Sequence, residues 1–92
     1  MVFIWFILGF NMYEEIGEFI EVVAIFRKGR AFPHSFKWKD RKYVVEQVNL
    51  EHQEKRGNST LFCYSVSASG NSYELSFDNV NLTWNLVRVW IE

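Results

Sequence analysis

The sequence predicts an all-β fold: a single domain formed by an antiparallel meander of five to six strands, strongly coiled or closed into a small barrel. Aromatic residues, which favour strands, are unusually frequent, with nine Phe, four Tyr and four Trp among 92 residues. Two stretches have the alternating pattern of β-hairpins around short polar turns. A chain of this length is enough for one domain, whose core would be mainly aromatic.

Residues 1–11 are predicted to be an apolar extension of a β domain that spans residues 12–92. The run is too short to cross a bilayer as a helix, which takes about 20 apolar residues. It also lacks the basic start and cleavage site of a signal peptide. Because such a run would aggregate if exposed, we expect an added strand, a short helix or a homodimer contact through residues 1–10. Otherwise it is not part of the natural protein, and Met12 is the start.

The first strand is predicted over Phe19–Lys28. Helical and strand spacing both fit the residues before it, but β-branched residues dominate this segment and Gly17 weakens a helix. The chain then turns into the stretch Pro33–Val48, which has the pattern of a hairpin.

That hairpin has an aromatic inner face and a basic outer face. If Asp40-Arg41 form a two-residue turn, Trp38 faces Tyr43 as a cross-strand aromatic pair, and Lys39 faces Lys42. The inward side chains are those of Phe36, Trp38, Tyr43 and Val45. The outward ones are those of Lys37, Lys39 and Lys42.

The third strand is predicted from Lys42 to about Glu51. Its inward residues change phase, from Tyr43 and Val45 to Val48 and Leu50, which predicts a bulge near Glu46 and Gln47. The polar stretch Glu51–Thr60 is expected to be an exposed loop or a ragged hairpin end.

A second hairpin is predicted around a Gly70-Asn71 turn, in which glycine stands first. Its core face pairs Tyr64 with Phe77 and Val66 with Leu75, and its polar face pairs Cys63 with Asp78. After a turn over residues 78–81, the last strand is expected from Leu82, as an inward residue, to Ile91, with a bulge near Val87-Arg88.

Several of these stretches together resemble a family of small bacterial proteins of unknown function. The shared pattern is a Phe-x-Trp hairpin, a Tyr-x-Val strand, a Tyr-Glu-Leu strand and a terminal Trp strand. It corresponds here to Phe36–Trp38, Tyr43–Val48, Tyr73–Asp78 and Trp84–Leu86, within roughly residues 19–91. The chain departs from the family where Asp40-Arg41 stands in place of a turn glycine. The resemblance implies the same all-β fold. It assigns no functional residues, because the family has no established activity.

Positive charge is concentrated in one short segment. The net charge is −1, yet residues 27–42 contain seven Lys or Arg against a single acid. The candidate contacts for an anion or a nucleic acid are Arg27, Lys28, Arg30, Lys37, Lys39, Arg41 and Lys42. Such residues neutralise phosphates in nucleic-acid-binding proteins. The alternative is that they keep an aromatic-rich protein soluble and a sheet edge unpaired.

The sequence predicts no catalytic, cofactor or metal site. Its two histidines, His34 and His52, lie eighteen positions apart, whereas a zinc site needs three or four ligands close together. A Cys63 nucleophile with His52 and Asp78 would lack the pocket that activates a thiol. The single cysteine excludes an internal disulfide, so the protein is predicted to be cytoplasmic.

Two functional hypotheses follow. The first is a non-enzymatic interaction or structural module that binds a protein partner or a second copy of itself. The second is an accessory nucleic-acid-binding domain that uses the basic hairpin of residues 37–42. It ranks lower because the aromatic side chains of this hairpin are predicted to point inward, away from any base they would stack on. No membrane partner is expected.

Overall fold

A computed structural model describes residues 12–91, which form one seven-stranded antiparallel sheet. The strands are β1 (Met12–Arg27), β2 (Arg30–Trp38), β3 (Arg41–Val44), β4 (Gln47–Arg56), β5 (Ser59–Ala68), β6 (Asn71–Asp78) and β7 (Thr83–Ile91). They lie in the order β3-β2-β1-β7-β6-β5-β4. Within this range every regular element is a strand, and no helix is long and apolar enough to cross a membrane. The predictions for residues 1–11 lie outside the described residues.

The antiparallel meander is confirmed, with seven strands rather than five to six. Of the two predicted forms, strongly coiled or closed into a small barrel, the closed one is wrong. Strands β3 and β4 follow each other in the chain but occupy opposite edges of the sheet. At the link between them, the Val45 amide donates to the His34 carbonyl of β2 at 2.9 Å. The next amide, of Glu46, donates to the Ser67 carbonyl of β5 at 2.8 Å. The sheet thus curls until its edges meet at this link. The sheet is not closed, because β3 pairs only with β2, β4 pairs only with β5, and these two edge strands do not pair with each other.

The core lies on the inner face of the curled sheet and joins strands that are distant in the sheet order. The Phe36 ring of β2, whose residue is 2% exposed, stacks on Tyr43 of β3 with 5.1 Å between centroids. It meets Tyr73 of β6 edge-on at 5.2 Å. The hydroxyl of Tyr64 in β5 donates to the backbone carbonyl of Ala31 in β2. The buried aromatic cluster that the composition predicts is therefore present.

The first hairpin has the predicted faces, but its turn comes one residue earlier than predicted. Lys39-Asp40, rather than Asp40-Arg41, occupy the two turn positions, with φ angles of +52° and +61°. Positive φ at both positions is typical of the type I′ turn, whose twist matches that of the strands. Phe36 consequently pairs with Tyr43. Because pairing has moved by two residues and side chains alternate with a period of two, the rings still point inward. Trp38 is half-buried, with its ring 6.3 Å from that of Tyr43.

The second hairpin shows the same kind of shift. Its turn is Ser69-Gly70 rather than Gly70-Asn71, again with two positive φ angles, +50° and +82°. Tyr64 pairs with Leu75 instead of Phe77. The core face nevertheless keeps its predicted members, which are buried.

The stretch Glu51–Thr60 is not a loop. It forms the end of the β4–β5 hairpin that contains the turn. Its two-residue turn is Gly57-Asn58, with Gly57 at φ +60°. Asn49 is the extra residue of a bulge opposite β5. This bulge changes the phase of the strand, so that Leu50, predicted to be inward, is 70% exposed.

Strand β1 starts at Met12, seven residues before the predicted start. Pairing with β7 continues through this segment across a bulge that contains Gly17 at φ +64°, so the glycine redirects the strand without ending it. At the other end of the chain, β7 has the predicted bulge at Val87. Leu82, predicted to be inward, lies in the preceding turn and is exposed.

Candidate functional site

The seven predicted basic residues do not form one patch. Arg27, Lys28 and Arg30 lie at the β1–β2 turn, whereas Lys37 to Lys42 lie at the β2–β3 turn. These turns are at opposite ends of β2, about 25 Å apart at roughly 3.3 Å per residue. Pairing of β1 with β2 does not bring the two groups together, because successive turns of an antiparallel meander lie at opposite ends of the strand between them.

Within the second group, two lysines stand side by side on the outer face of the sheet. Lys37 of β2 pairs directly with Lys42 of β3. The predicted partner of Lys42 was Lys39. On its other side Lys37 has Glu21 of β1 as its strand partner, but no ion pair joins them. Among the described residues, neither lysine has an ion-pair partner.

The other two cations of this hairpin are placed over aromatic rings. The Lys39 ammonium lies 4.8 Å from the centroid of the Trp38 ring, and the Arg41 guanidinium lies 5.9 Å from that of Tyr43. Trp38 also donates its indole N–H to Glu18 at 3.2 Å. Lys39 and Arg41 thus have ring contacts, whereas Lys37 and Lys42 have neither a ring contact nor an ion pair among the described residues.

Next to these two lysines, the outer face of β1–β3 is apolar. One row across the strands is formed by Val23 of β1, Ser35 of β2 and Val44 of β3. Both valines are more than half exposed, whereas Ser35 is only 2% exposed. The serine lies in a 360 Å³ depression that is also lined by Val23, by both lysines and by Glu21. Phe19, 76% exposed, lines an adjoining hollow with Lys37. We call this surface, formed by Phe19, Val23, Val44, Lys37 and Lys42, the outer face patch.

A second cluster was not predicted. His52 of β4 is the direct cross-strand partner of Cys63 of β5, and Glu54 follows two positions after His52 on the same face. One donor atom from each of the three side chains lies within 4.8 Å of the other two. His52 Nε2 and Glu54 Oε2 are 3.0 Å apart. The structure thus brings a nitrogen, an oxygen and a sulfur donor together at the β4–β5 hairpin.

The predicted pairing of Cys63 with Asp78 is wrong. Cys63 faces His52 and Ser76, and Asp78 faces Leu61 instead. Burial, with the nearby carboxylates of Glu54 and Glu74, raises the pKa of the Cys63 thiol to about 11. The thiol is therefore protonated at neutral pH, the opposite of an activated nucleophile.

An ion-pair network next to this cluster has a structural role. Arg88 of β7 donates to Glu15 of β1 at 2.8 Å and to Glu74 of β6 at 2.6 Å. Hydrogen bonds to these two carboxylates raise the Arg88 pKa above its ordinary value. Trp90 also donates to Glu74, at 3.2 Å. The network links β1, β7 and β6, and it compensates much of the Glu74 charge.

The signal for the His52–Glu54–Cys63 cluster is present in the sequence. His52 and Glu54 are two positions apart, so they share a face of any strand that contains them. A two-residue turn at Gly57-Asn58 then places Cys63 opposite His52. Reading residues 51–60 as a loop or a ragged hairpin end leaves this juxtaposition out.

No protein-family model, curated protein or solved structure matches the chain. The resemblance of the Phe36 and Tyr73 stretches to a family of small bacterial proteins therefore stays a prediction.

Proposed function

We propose that the chain is a non-enzymatic interaction module that binds an acidic and apolar segment of a protein partner on the outer face patch. The observation that carries this proposal is a pair of adjacent lysines, neither of them in an ion pair, beside exposed apolar side chains on one sheet face. With a single cysteine and no disulfide to form, the module is proposed to act in the cytoplasm.

The charge part of the argument rests on Lys37 and Lys42. Like charges directly opposite each other in a sheet repel, at a cost of up to about 1 kcal/mol. A carboxylate bound between the two ammonium groups would remove this repulsion. An anionic partner therefore gains both its own attraction to the lysines and the relief of a strain already present in the free protein.

The apolar part rests on Phe19, Val23 and Val44. Exposed apolar side chains that lie together and are bordered by charges are typical of protein–protein contact sites. Ser35, the small residue between the two valines, leaves room for an incoming side chain in the depression. Burial of such a side chain supplies a driving force that charge alone does not.

A protein partner is favoured over a nucleic acid by the kind of apolar surface beside the lysines. Single-stranded nucleic acids bind where bases can stack on exposed aromatic rings. Beside Lys37 and Lys42, Phe36 and Tyr43 are buried and Trp38 is covered by Lys39. Phe19 is the exposed ring of this patch, whereas the exposed rings of Phe26 and Tyr13 do not belong to it. Aliphatic side chains such as Val23 suit a peptide better than a base.

The test is a fluorescence-anisotropy titration with a labelled peptide of alternating glutamate and valine. An otherwise identical lysine–valine peptide and a single-stranded DNA oligonucleotide serve as comparison ligands. The paired variant Lys37→Glu/Lys42→Glu should weaken binding of the acidic peptide by at least about tenfold, since like charges then meet across the interface. The matched control, Lys55→Glu/Arg56→Glu, changes the net charge equally on exposed residues of β4 and should bind as the wild type does.

Three outcomes would contradict the proposal. Equal loss in both double variants would mean that net charge alone determines binding. Equal affinity for the lysine–valine peptide would remove the electrostatic argument. Tighter binding of the oligonucleotide, with a steep linear dependence of log affinity on log salt and loss in Lys37→Glu/Lys42→Glu, would replace it with the nucleic-acid hypothesis.

Self-association through residues 1–10 is a separate proposal. Light scattering on the full chain and on a form that starts at Met12 tests it, and equal monomeric masses would remove it.

A further inference from the structure

We propose that His52, Glu54 and Cys63 form a binding site for a divalent transition-metal ion of the Zn²⁺ class on the outer side of the β4–β5 hairpin. The site lies on strands other than those of the outer face patch, and it does not depend on the proposed function.

The backbone register positions all three ligands. His52 and Cys63 are cross-strand partners, and Glu54 is on the same side of β4 one pleat further along. The Gly57-Asn58 turn joins the two strands in a hairpin, so the backbone of all three ligands is already ordered before a metal ion binds. Such placement on neighbouring strands lowers the ordering entropy that a metal ion would otherwise have to overcome.

The distances fit a first-row metal ion after a small movement of the side chains. Tetrahedral zinc binds nitrogen and oxygen at about 2.0–2.2 Å and sulfur at about 2.3 Å, which places the donors about 3.5 Å apart. In the structure the three donor atoms all lie within 4.8 Å of one another. His52 and Glu54 are exposed, so rotation of these side chains can close the remaining difference.

The donor set indicates which metal ions are suitable. Imidazole, carboxylate and thiolate together suit zinc and its neighbours better than magnesium or calcium, which prefer oxygen ligands alone. Cys63 loses its proton to solvent when a metal ion binds, as thiol ligands do.

A fourth ligand position faces solvent. His52, Cys63 and Glu74 line an open cleft of 530 Å³. Since Glu74 is held by Arg88 and Trp90, we assign the fourth position to water. Three protein ligands and one water is a common arrangement for zinc sites that are open to solvent.

The experiment uses tag-free protein, reduced and freed of metal with a chelator that is then removed. Titration with Co²⁺ should produce a thiolate-to-cobalt charge-transfer band and intense visible bands of a four-coordinate ion, and Zn²⁺ should displace both. Cys63→Ser should abolish the charge-transfer band. His52→Ala and Glu54→Gln should each weaken Zn²⁺ binding by about 100-fold or more, since even loss of an outer-shell partner costs about 10–100-fold.

Two matched controls separate this site from adventitious binding. His34→Ala removes the other histidine, on β2, and Glu51→Gln removes a carboxylate on the opposite side of β4 from His52. Both should bind Zn²⁺ as the wild type does, and circular dichroism checks that every variant is folded.

Absence of the charge-transfer band at saturating Co²⁺ would overturn the proposal. So would Zn²⁺ affinity that is unchanged in Glu54→Gln, a substitution at an exposed position that should not affect folding. A loss in His34→Ala as large as that in His52→Ala would place the metal elsewhere.

Discussion

Replacing Phe36 by alanine tests the packing on which the curled sheet depends. The Phe36 ring is almost completely buried and contacts Tyr43 and Tyr73 with centroid distances of 5.1 and 5.2 Å. Truncation of a buried Phe typically lowers the free energy of unfolding by about 3–5 kcal/mol. Because the ring makes two aromatic contacts, each worth about 0.5–1.5 kcal/mol beyond area burial, the loss should fall in the upper part of that range. We therefore expect a loss of about 4–5 kcal/mol, a large part of the ~5–15 kcal/mol typical of domains.

Urea unfolding followed by tryptophan fluorescence measures this loss, and the chain provides its own control. Phe19 is the same residue type but is 76% exposed on the outer side of β1, so Phe19→Ala should change stability by no more than about 0.5 kcal/mol. In a double-mutant cycle, Phe36→Leu and Tyr73→Leu should show a coupling of about 0.5–1.5 kcal/mol. A loss below about 1 kcal/mol in Phe36→Ala, or additive effects in the cycle, would refute the contact between β2 and β6.

Three further predictions concern single side chains. Tyr64→Phe leaves the Ala31 carbonyl without its hydroxyl donor and should lower the free energy of unfolding by about 1–2 kcal/mol in urea; no change would contradict that bond. Asp40→Gly removes a non-glycine residue from φ +61°. After the entropy cost of glycine is subtracted, it should raise the free energy of unfolding by about 0.5–1 kcal/mol and the thermal midpoint with it; a lower midpoint would argue against the turn. Hydrogen bonds from the Asn81 and Val80 amides lower the Asp78 pKa, so its carboxylate stabilises the fold above its unfolded pKa of about 4, and this contribution is lost as the pH falls through the lower folded pKa. Denaturant titrations across this range should show a stability difference between wild type and Asp78→Asn that shrinks on acidification, and a constant difference would contradict the assigned bonds.

Much of the fold can be predicted from residue periodicity alone. Which side chains point inward in both predicted hairpins, and the bulge at Val87, follow from the alternation of apolar and polar residues. The turn positions do not follow from it. Lys39-Asp40 contains no glycine, yet both residues adopt positive φ, and local preference gives little sign of this. Because a one-residue error in the turn moves the pairing by two residues, the faces are predicted correctly while the partners are not.

The length of the β4–β5 hairpin and the closure of the sheet cannot be predicted from local sequence patterns. The β4–β5 hairpin extends to Arg56 through residues that are almost all polar, so no apolar alternation marks it as a strand. Its sheet neighbours provide the pairing that its composition does not suggest. For the same reason the closed barrel was wrong: whether a sheet closes depends on which edges the β3–β4 segment can pair with.

For the candidate sites, too, the face on which a side chain lies could be predicted, whereas its pairing partner could not. Lys37 and Lys42 are on the outer side of the hairpin, as predicted. They pair with each other, whereas the prediction paired Lys42 with Lys39. That Arg27 and its neighbours lie at the far end of β2 follows from the topology and not from charge density. The His52–Cys63 pair depends entirely on the register of a hairpin that was predicted only as a possible ragged end.

Chemical-shift mapping by NMR tests the outer face patch most directly. Titration of isotope-labelled protein with the glutamate–valine peptide should shift the amide signals of Val23, Ser35 and Val44, with the largest changes in the row that forms the depression. Shifts centred instead on the β4–β5 hairpin around His52, with β1–β3 unchanged, would contradict the proposed binding surface.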